Sequence, residues 1–190
     1  INELHNLYIS EKDYKLEWMQ DPWNDVKVSA DWINDIYKKI KPDVIHFNNY
    51  VPLREEWKCP IITVFHSCVL TWHEGVKKEL PPKEWLQYKE LVQQSLSVSD
   101  IVIYPSQAIK KMAEAKYKSL SKSLVIYNGV NLEAFNNTKK KHPYVLSGGR
   151  LWDEAKNIQL LANIADKLSW PIKIAGDTLD PHGNHFQSDS

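Results

Sequence analysis

The stretch DIVIYPSQAIKKMA, residues 100–113, contains a complete strand-to-helix transition. DIVIYP (100–105) reads as a short buried strand. Ser106 then stands where a helix needs an N-cap oxygen, and the residues behind it place Ile109, Met112, Ala113 and Lys116 on one helical face. The same grammar repeats on both sides. DVIHF (43–47) and IITVF (61–65) are short apolar runs, the second rich in β-branched residues. Ile33, Ile36, Tyr37 and Ile40 recur at helical spacing until Pro42 stops them. LPPKEWLQYKELVQQSLSVS (80–99) carries Leu91, Val92, Ser95 and Leu96 on one face, with Pro81 and Pro82 near its start. SLVIYNG (123–129) reads as a strand ending in an Asn-Gly turn. Further on come a strand YVLSG (144–148), a helix NIQLLANIADKL (157–168) and a strand PIKIAG (171–176). Only the first 25 residues resist this reading, with LHNLYIS (4–10) as a candidate strand and DPW as a turn.

Strand and helix alternating over most of the length imply an α/β fold with a mainly parallel sheet. NNTKKKHP (136–143) is polar, lysine-bearing and closed by proline, so it reads as a connector. The expected organisation is a first domain over 1–138, a linker at 139–143, and a second α/β domain that starts at 144 and runs to 190.

The bulk numbers narrow the function. Of 190 residues, 43% are hydrophobic and 25% charged, an ordinary globular composition. Lys and Arg total 24 and so do Asp and Glu, which removes the electrostatic argument for a nucleic-acid partner. No apolar run approaches a bilayer's thickness, and no charged start followed by an apolar stretch marks a signal peptide. Cys59 and Cys68 flank one apolar run that would hold them apart, so two free thiols are expected, as suits the cytoplasm. The chain opens on Ile1 and ends in a polar stretch, which reads as a fragment of a longer protein.

In open parallel sheets, ligands bind where strands end and loops lead into helices. The most pointed of these ends is SGGRLWDEAKN (147–157). Gly148 and Gly149 let a ligand approach the backbone, a helix starting near Asn157 would offer free N–H groups, and Arg150 and Lys156 bracket the loop. Together they read as an anion cradle of the phosphate type, matching neither the dinucleotide fingerprint nor the P-loop. The alternative is that Arg150 and Lys156 pair with Asp153 and Glu154 on the surface. At an earlier strand end, His66 sits beside Ser67 and Cys68 and reads as a base, a ligand for sugar hydroxyls or phosphate, or a capping histidine. A Cys68 nucleophile ranks below simple packing. His182 and His185 lack further ligands at metal-binding spacing and read as solvated, so no metal site is assigned. Trp72 and Trp85 are candidates to stack on a sugar ring, with packing as the alternative.

The ordered segments KPDVIHFNNY, PIITVFHSC, SDIVIYPSQA, LVIYNGVNLEAF, YVLSGGRLWDEAKNI and PIKIAGD resemble the retaining nucleotide-sugar glycosyltransferases of family four, of bacterial type. The resemblance runs from about Asp43 through Asp177. It implies a GT-B-like architecture, in which a Rossmann-like acceptor-side domain is followed by a donor-binding Rossmann-like domain, here only its beginning. It implies a UDP- or GDP-sugar donor, a saccharide or lipid-linked acceptor, peripheral membrane contact as one option, no cofactor and no metal. By resemblance Arg150 and Lys156 hold the donor diphosphate and stabilise it as it leaves, with Gly148 and Gly149 lining the donor. His66 lines the cleft near the transferred sugar. Ser67, Trp72 and Asn48 join it on the acceptor side, and Asn128 and Gly129 form the turn before the linker. Front-face displacement, with a donor phosphate oxygen taking the acceptor proton, leaves no protein general base to assign. The family's first strand and its glutamate pair find no match in residues 1–190, so this stretch alone is expected to be inactive. A nucleotide-sugar epimerase of related fold and a non-catalytic sugar- or nucleotide-binding module are the alternatives.

Overall fold

The computed structural model describes residues 6–52, 57–118, 122–135, 140–180 and 183–185. Parts of the sequence reading lie outside them: Leu4 and His5 of the first candidate strand, 136–139 of the connector, and His182. The chain divides into two compact units, Ile1–Gly129 and Val130–Ser190.

The first unit is built on a four-stranded parallel sheet in the order β1-β2-β3-β4. Its strands are β1 (Ile45–Phe47), β2 (Ile61–Val64), β3 (Ile101–Tyr104) and β4 (Ser123–Val125). All three pairings are parallel, with Phe47 opposite Thr63 and Val64 opposite Ile103. The carboxyl ends of all four strands therefore lie along one edge. The helices are α1 (Trp23–Ile40), α2 (Val69–Trp72), α3 (Leu86–Val98) and α4 (Gln107–Glu114). The fold is mixed α/β with a Rossmann-like parallel sheet, as the alternation of strand and helix signals implies.

Local chemistry explains the element boundaries. Ser106 caps α4 as the sequence suggests, its hydroxyl accepting from the Ile109 N–H at 3.2 Å. Lys41 ends α1 in the left-handed region at φ 51°, its N–H bonded back to the Tyr37 carbonyl, and Pro42 forbids continuation. The helical face read from α3 is the buried one: Leu91, Val92, Ser95 and Leu96 all enter the core with Tyr88. Each large apolar side chain so buried contributes about 1.5–3 kcal/mol. The Ser95 hydroxyl donates to the Val51 carbonyl, which makes its burial tolerable.

Three expectations fail. Residues 6–22 form neither strand nor helix, so the described part of LHNLYIS is not a strand. SLVIYNG is a strand only over Ser123–Val125; Asn128 and Gly129 form no hydrogen-bonded turn, and Gly129 keeps an ordinary backbone. The stretch after His66, to which no helix was assigned, forms α2 and then a π-helical turn, His73–Lys77. Cys68 and Thr71 cap α2 reciprocally, which a scan for Ser, Thr, Asp or Asn at the N-cap overlooks.

The second unit holds a two-stranded parallel sheet, β5 (Val145–Gly148) with β6 (Ile172–Ala175), joined through α5 (Ile158–Ile164). No helix among the described residues is long and apolar enough to cross a membrane.

Glu17 is buried in the first unit, although it comes from the irregular N-terminal segment. Burial pushes its carboxyl above the ordinary value of 4.5, while hydrogen bonds from the N–H groups of Glu17 and Tyr50 pull the other way. A carboxyl raised in the fold favours the folded state while protonated. That contribution is full below its unfolded pKa and is lost as pH rises through the raised one. Glu17→Gln is therefore expected to melt above wild type at about pH 8, with the difference closing near about pH 4. Thermal melts at the two pH values check this; a variant less stable at the higher pH refutes it.

Candidate functional site

Two candidate clusters emerge, one in each unit. In the first, β2 delivers His66 by strand alternation. Phe65 continues the ladder, its N–H bonded to the Ile103 carbonyl at 2.8 Å, and its ring is fully buried. His66, one residue on, must then face solvent. Asn48 leaves β1 at the same edge, and His66 Nε2 lies 2.9 Å from Asn48 Oδ1. Two residues singled out on the acceptor side thus meet across neighbouring strand ends. Ser67 is exposed beside them, its carbonyl held by the Tyr50 hydroxyl at 2.9 Å.

The other side chains of this stretch serve packing. Cys68 is buried, its sulfur accepting from the Thr71 N–H and the Tyr117 hydroxyl, so it is a cap and not a nucleophile. Cys59 and Cys68 are both free thiols, as expected. Trp85 packs edge-on to Tyr88, with 5.6 Å between ring centroids, so the packing reading holds for it. Trp72 is half-buried on α2, edge-on to His73, with the Lys77 ammonium 5.6 Å from its ring centre. A sugar stacking on that face of Trp72 would have to displace Lys77.

In the second unit the cluster forms around two glycines. Gly149 follows β5 at φ 149°, a conformation that favours glycine, and its N–H donates to the Ala175 carbonyl at 3.0 Å. The methylenes of Lys156 lie across it: a Cβ there would sit 3.3 Å from Lys156 Cδ and Cε. The Lys156 stem thus runs along the residue immediately before Arg150, which brings both cations to one strand end.

Arg150 is engaged from two sides. Its guanidinium donates to Asp153 Oδ2 at 2.7 Å and lies 5.2 Å from the centre of the Trp152 ring. The surface-pairing alternative is thus realised for Arg150 with Asp153. The Arg150 side chain is still 62% exposed, and of the five N–H donors of its guanidinium this bond uses one. The helix N-terminus expected near Asn157 is altered. Asn157 is left-handed at φ 49°, α5 begins only at Ile158, and a 3-10 turn, Glu154–Lys156, comes between. Asp153 Oδ1 already accepts from the Ala155 N–H that opens this turn. What this strand end can offer an anion is therefore the two cationic side chains, not a helix dipole.

Sequence reading missed Gly176. At φ 156° it packs against Gly149 so closely that a Cβ would lie 1.7 Å from the Gly149 carbonyl oxygen. The signal was present, since PIKIAG ends in glycine just as YVLSGG does. His185 is exposed and paired through a short bridge to Leu179. Among the described residues no group of three or more His, Cys, Asp or Glu gathers as metal ligands.

The sequence model of Glycosyltransferase Family 4 matches residues 11–134. The chain belongs to that family. No curated protein matches it. The matched span carries His66, Asn48, Ser67 and Trp72 of this family-4 chain, while the glycine and cation cluster lies beyond it.

The two glycines allow a sharp test. Gly176→Ala is expected to destabilise the second unit by at least ~2 kcal/mol, because backbone must move to admit the methyl group. Gly148→Ala, whose Cβ would meet only the Ala175 carbonyl at an ordinary 3.6 Å, should leave stability nearly unchanged. Denaturant titration of both variants reads the contrast; equal stabilities would contradict the close packing.

Proposed function

We propose that this family-4 chain transfers a sugar from a nucleoside-diphosphate donor to a saccharide or lipid-linked acceptor, with retention of configuration. The observation that carries this reading is the Lys156 stem lying along Gly149, which puts two cations at one glycine-lined strand end. Arg150 and Lys156 would bind the donor diphosphate and offset the negative charge that grows on it as the glycosidic bond breaks. Fixed cations act strongly on charge that develops only in the transition state. In the first unit, His66 and Asn48 would present a paired imidazole and amide to sugar hydroxyls. In a front-face displacement the acceptor proton passes to a donor phosphate oxygen, so neither residue is needed as a base.

Membership in the family supports the class of reaction. The donor is read as a UDP- or GDP-sugar from the resemblance alone, and the metal-independent route follows from the same source.

Thermal unfolding with UDP or GDP tests the cradle. At a ligand concentration 100-fold above Kd, native-state binding adds about 2.7 kcal/mol of stability, a shift visible in a melt. Arg150→Ala and Lys156→Ala are each expected to lose most of that shift. Normal diphosphate binding by both variants would overturn the assignment. A hydrolysis panel across UDP- and GDP-sugars then identifies the donor.

A further inference from the structure

Three tyrosines in the first unit are almost wholly buried, Tyr50, Tyr88 and Tyr117, at 4%, 1% and 3% exposure. A buried hydroxyl costs free energy unless it is hydrogen-bonded, and phenylalanine would fill the same space without that cost. The three come from separate places: the loop after β1, helix α3, and the turn after α4. Their hydroxyls nevertheless converge on three consecutive residues. Tyr50 donates to the Ser67 carbonyl at 2.9 Å, Tyr117 donates to Cys68 Sγ at 3.2 Å, and Tyr88 accepts from the Val69 N–H at 3.4 Å.

Not every tyrosine of the core does this. Tyr104 is equally buried and belongs to the same ring cluster, 5.6 Å from Phe65, yet its hydroxyl has no hydrogen-bond partner among the described residues. The convergence on 67–69 is thus a property of three particular hydroxyls and not of tyrosine in this core generally. The residue just before the held segment is His66, which is exposed and bonded to Asn48.

From this juxtaposition we infer that Tyr50, Tyr88 and Tyr117 are positioning residues, which cradle residues 67–69 and thereby fix the His66 ring against Asn48 at the sheet edge. An exposed side chain at the end of a strand otherwise samples several rotamers. A site must hold its groups to within a fraction of an ångström, and it does so through the layer of residues behind them. The chemistry of the cradle suits the task. Burial raises all three hydroxyls well above the ordinary tyrosine value, which favours the neutral hydroxyl over the phenolate. The inference rests on the reading of His66 as a cleft residue only for its functional meaning, not for the geometry.

The test removes single oxygens from the full chain: Tyr50→Phe, Tyr88→Phe and Tyr117→Phe, with Tyr104→Phe as the control. The readout is the imidazole nitrogen spectrum of His66. Wild type and Tyr104→Phe are expected to show one sharp set of resonances with the Nε2 shift of a bonded nitrogen. The three cradle variants are expected to show broadened resonances moving toward free imidazole while the fold persists. An unchanged His66 spectrum in all three, or the same change in Tyr104→Phe, overturns the inference. Should a variant fail to fold, the wild-type Val69 amide decides. Bonded to Tyr88, it must exchange about tenfold or more slowly than an open amide, and fast exchange overturns the cradle. The diphosphate-induced melting shift is measured on the same samples. Its absence in wild type counts against the proposed function and leaves the cradle standing, so the two readings fail separately.

Discussion

β2 is hydrogen-bonded on both edges, to β1 and to β3, with all three strands running the same way. Most of the first unit follows from that. A strand paired on both sides and buried along Ile61, Thr63, Val64 and Phe65 has no freedom to slip, because a shift of one residue would turn Phe65 out and His66 in. Polar bonds pin the register at its base. The Ile61 N–H donates to the Asp100 carboxylate at 2.7 Å, and the Asp100 N–H returns a bond to the Ile61 carbonyl. Higher up, the hydroxyls of Thr63 and Ser99 share a bond at 2.7 Å inside the core. With the base fixed and the rise per residue constant, the height at which His66 emerges is set, at the same edge where Asn48 leaves β1.

The fold was legible because its signals were local and mutually consistent. β3 and α4 show it best: an apolar run, a proline, a serine cap and a helical face each pointed to the same structure. The same holds for α3, whose face also includes Tyr88, four residues before Val92 and on the same helical stripe. The N-terminal segment was illegible for the opposite reason. Residues 6–22 have no periodicity, and what anchors them is a tertiary event, the burial of Glu17 against the Tyr50 backbone. No local pattern announces a carboxylate that will be buried. α2 was hidden by its cap, since a cysteine side chain fills a role that sequence reading reserves for oxygen.

The site was legible in its residue types and less so in its geometry. His66 and Asn48 could be assigned to strand ends, but their contact depends on which strands are neighbours, and sequence order alone leaves that open. Glycine at 149 was read as room for a ligand, whereas much of that room is occupied by Lys156 and by Gly176. Arg150 with Asp153 was foreseen as one of two alternatives, because residues three apart meet readily around a tight turn. The tyrosine hydroxyls escaped notice altogether, since their targets lie 17, 19 and 49 positions away in the chain.

The bond between Arg150 and Asp153 has one further consequence. The guanidinium already has a resident anion, tethered three residues away and 10% exposed, which also holds the start of the next turn through Ala155. An arriving anion is therefore compared with a carboxylate that is always present at high local concentration. A singly charged competitor gains little by exchange. The internal carboxylate thus acts as a threshold that any anion would have to exceed to take its place on the guanidinium.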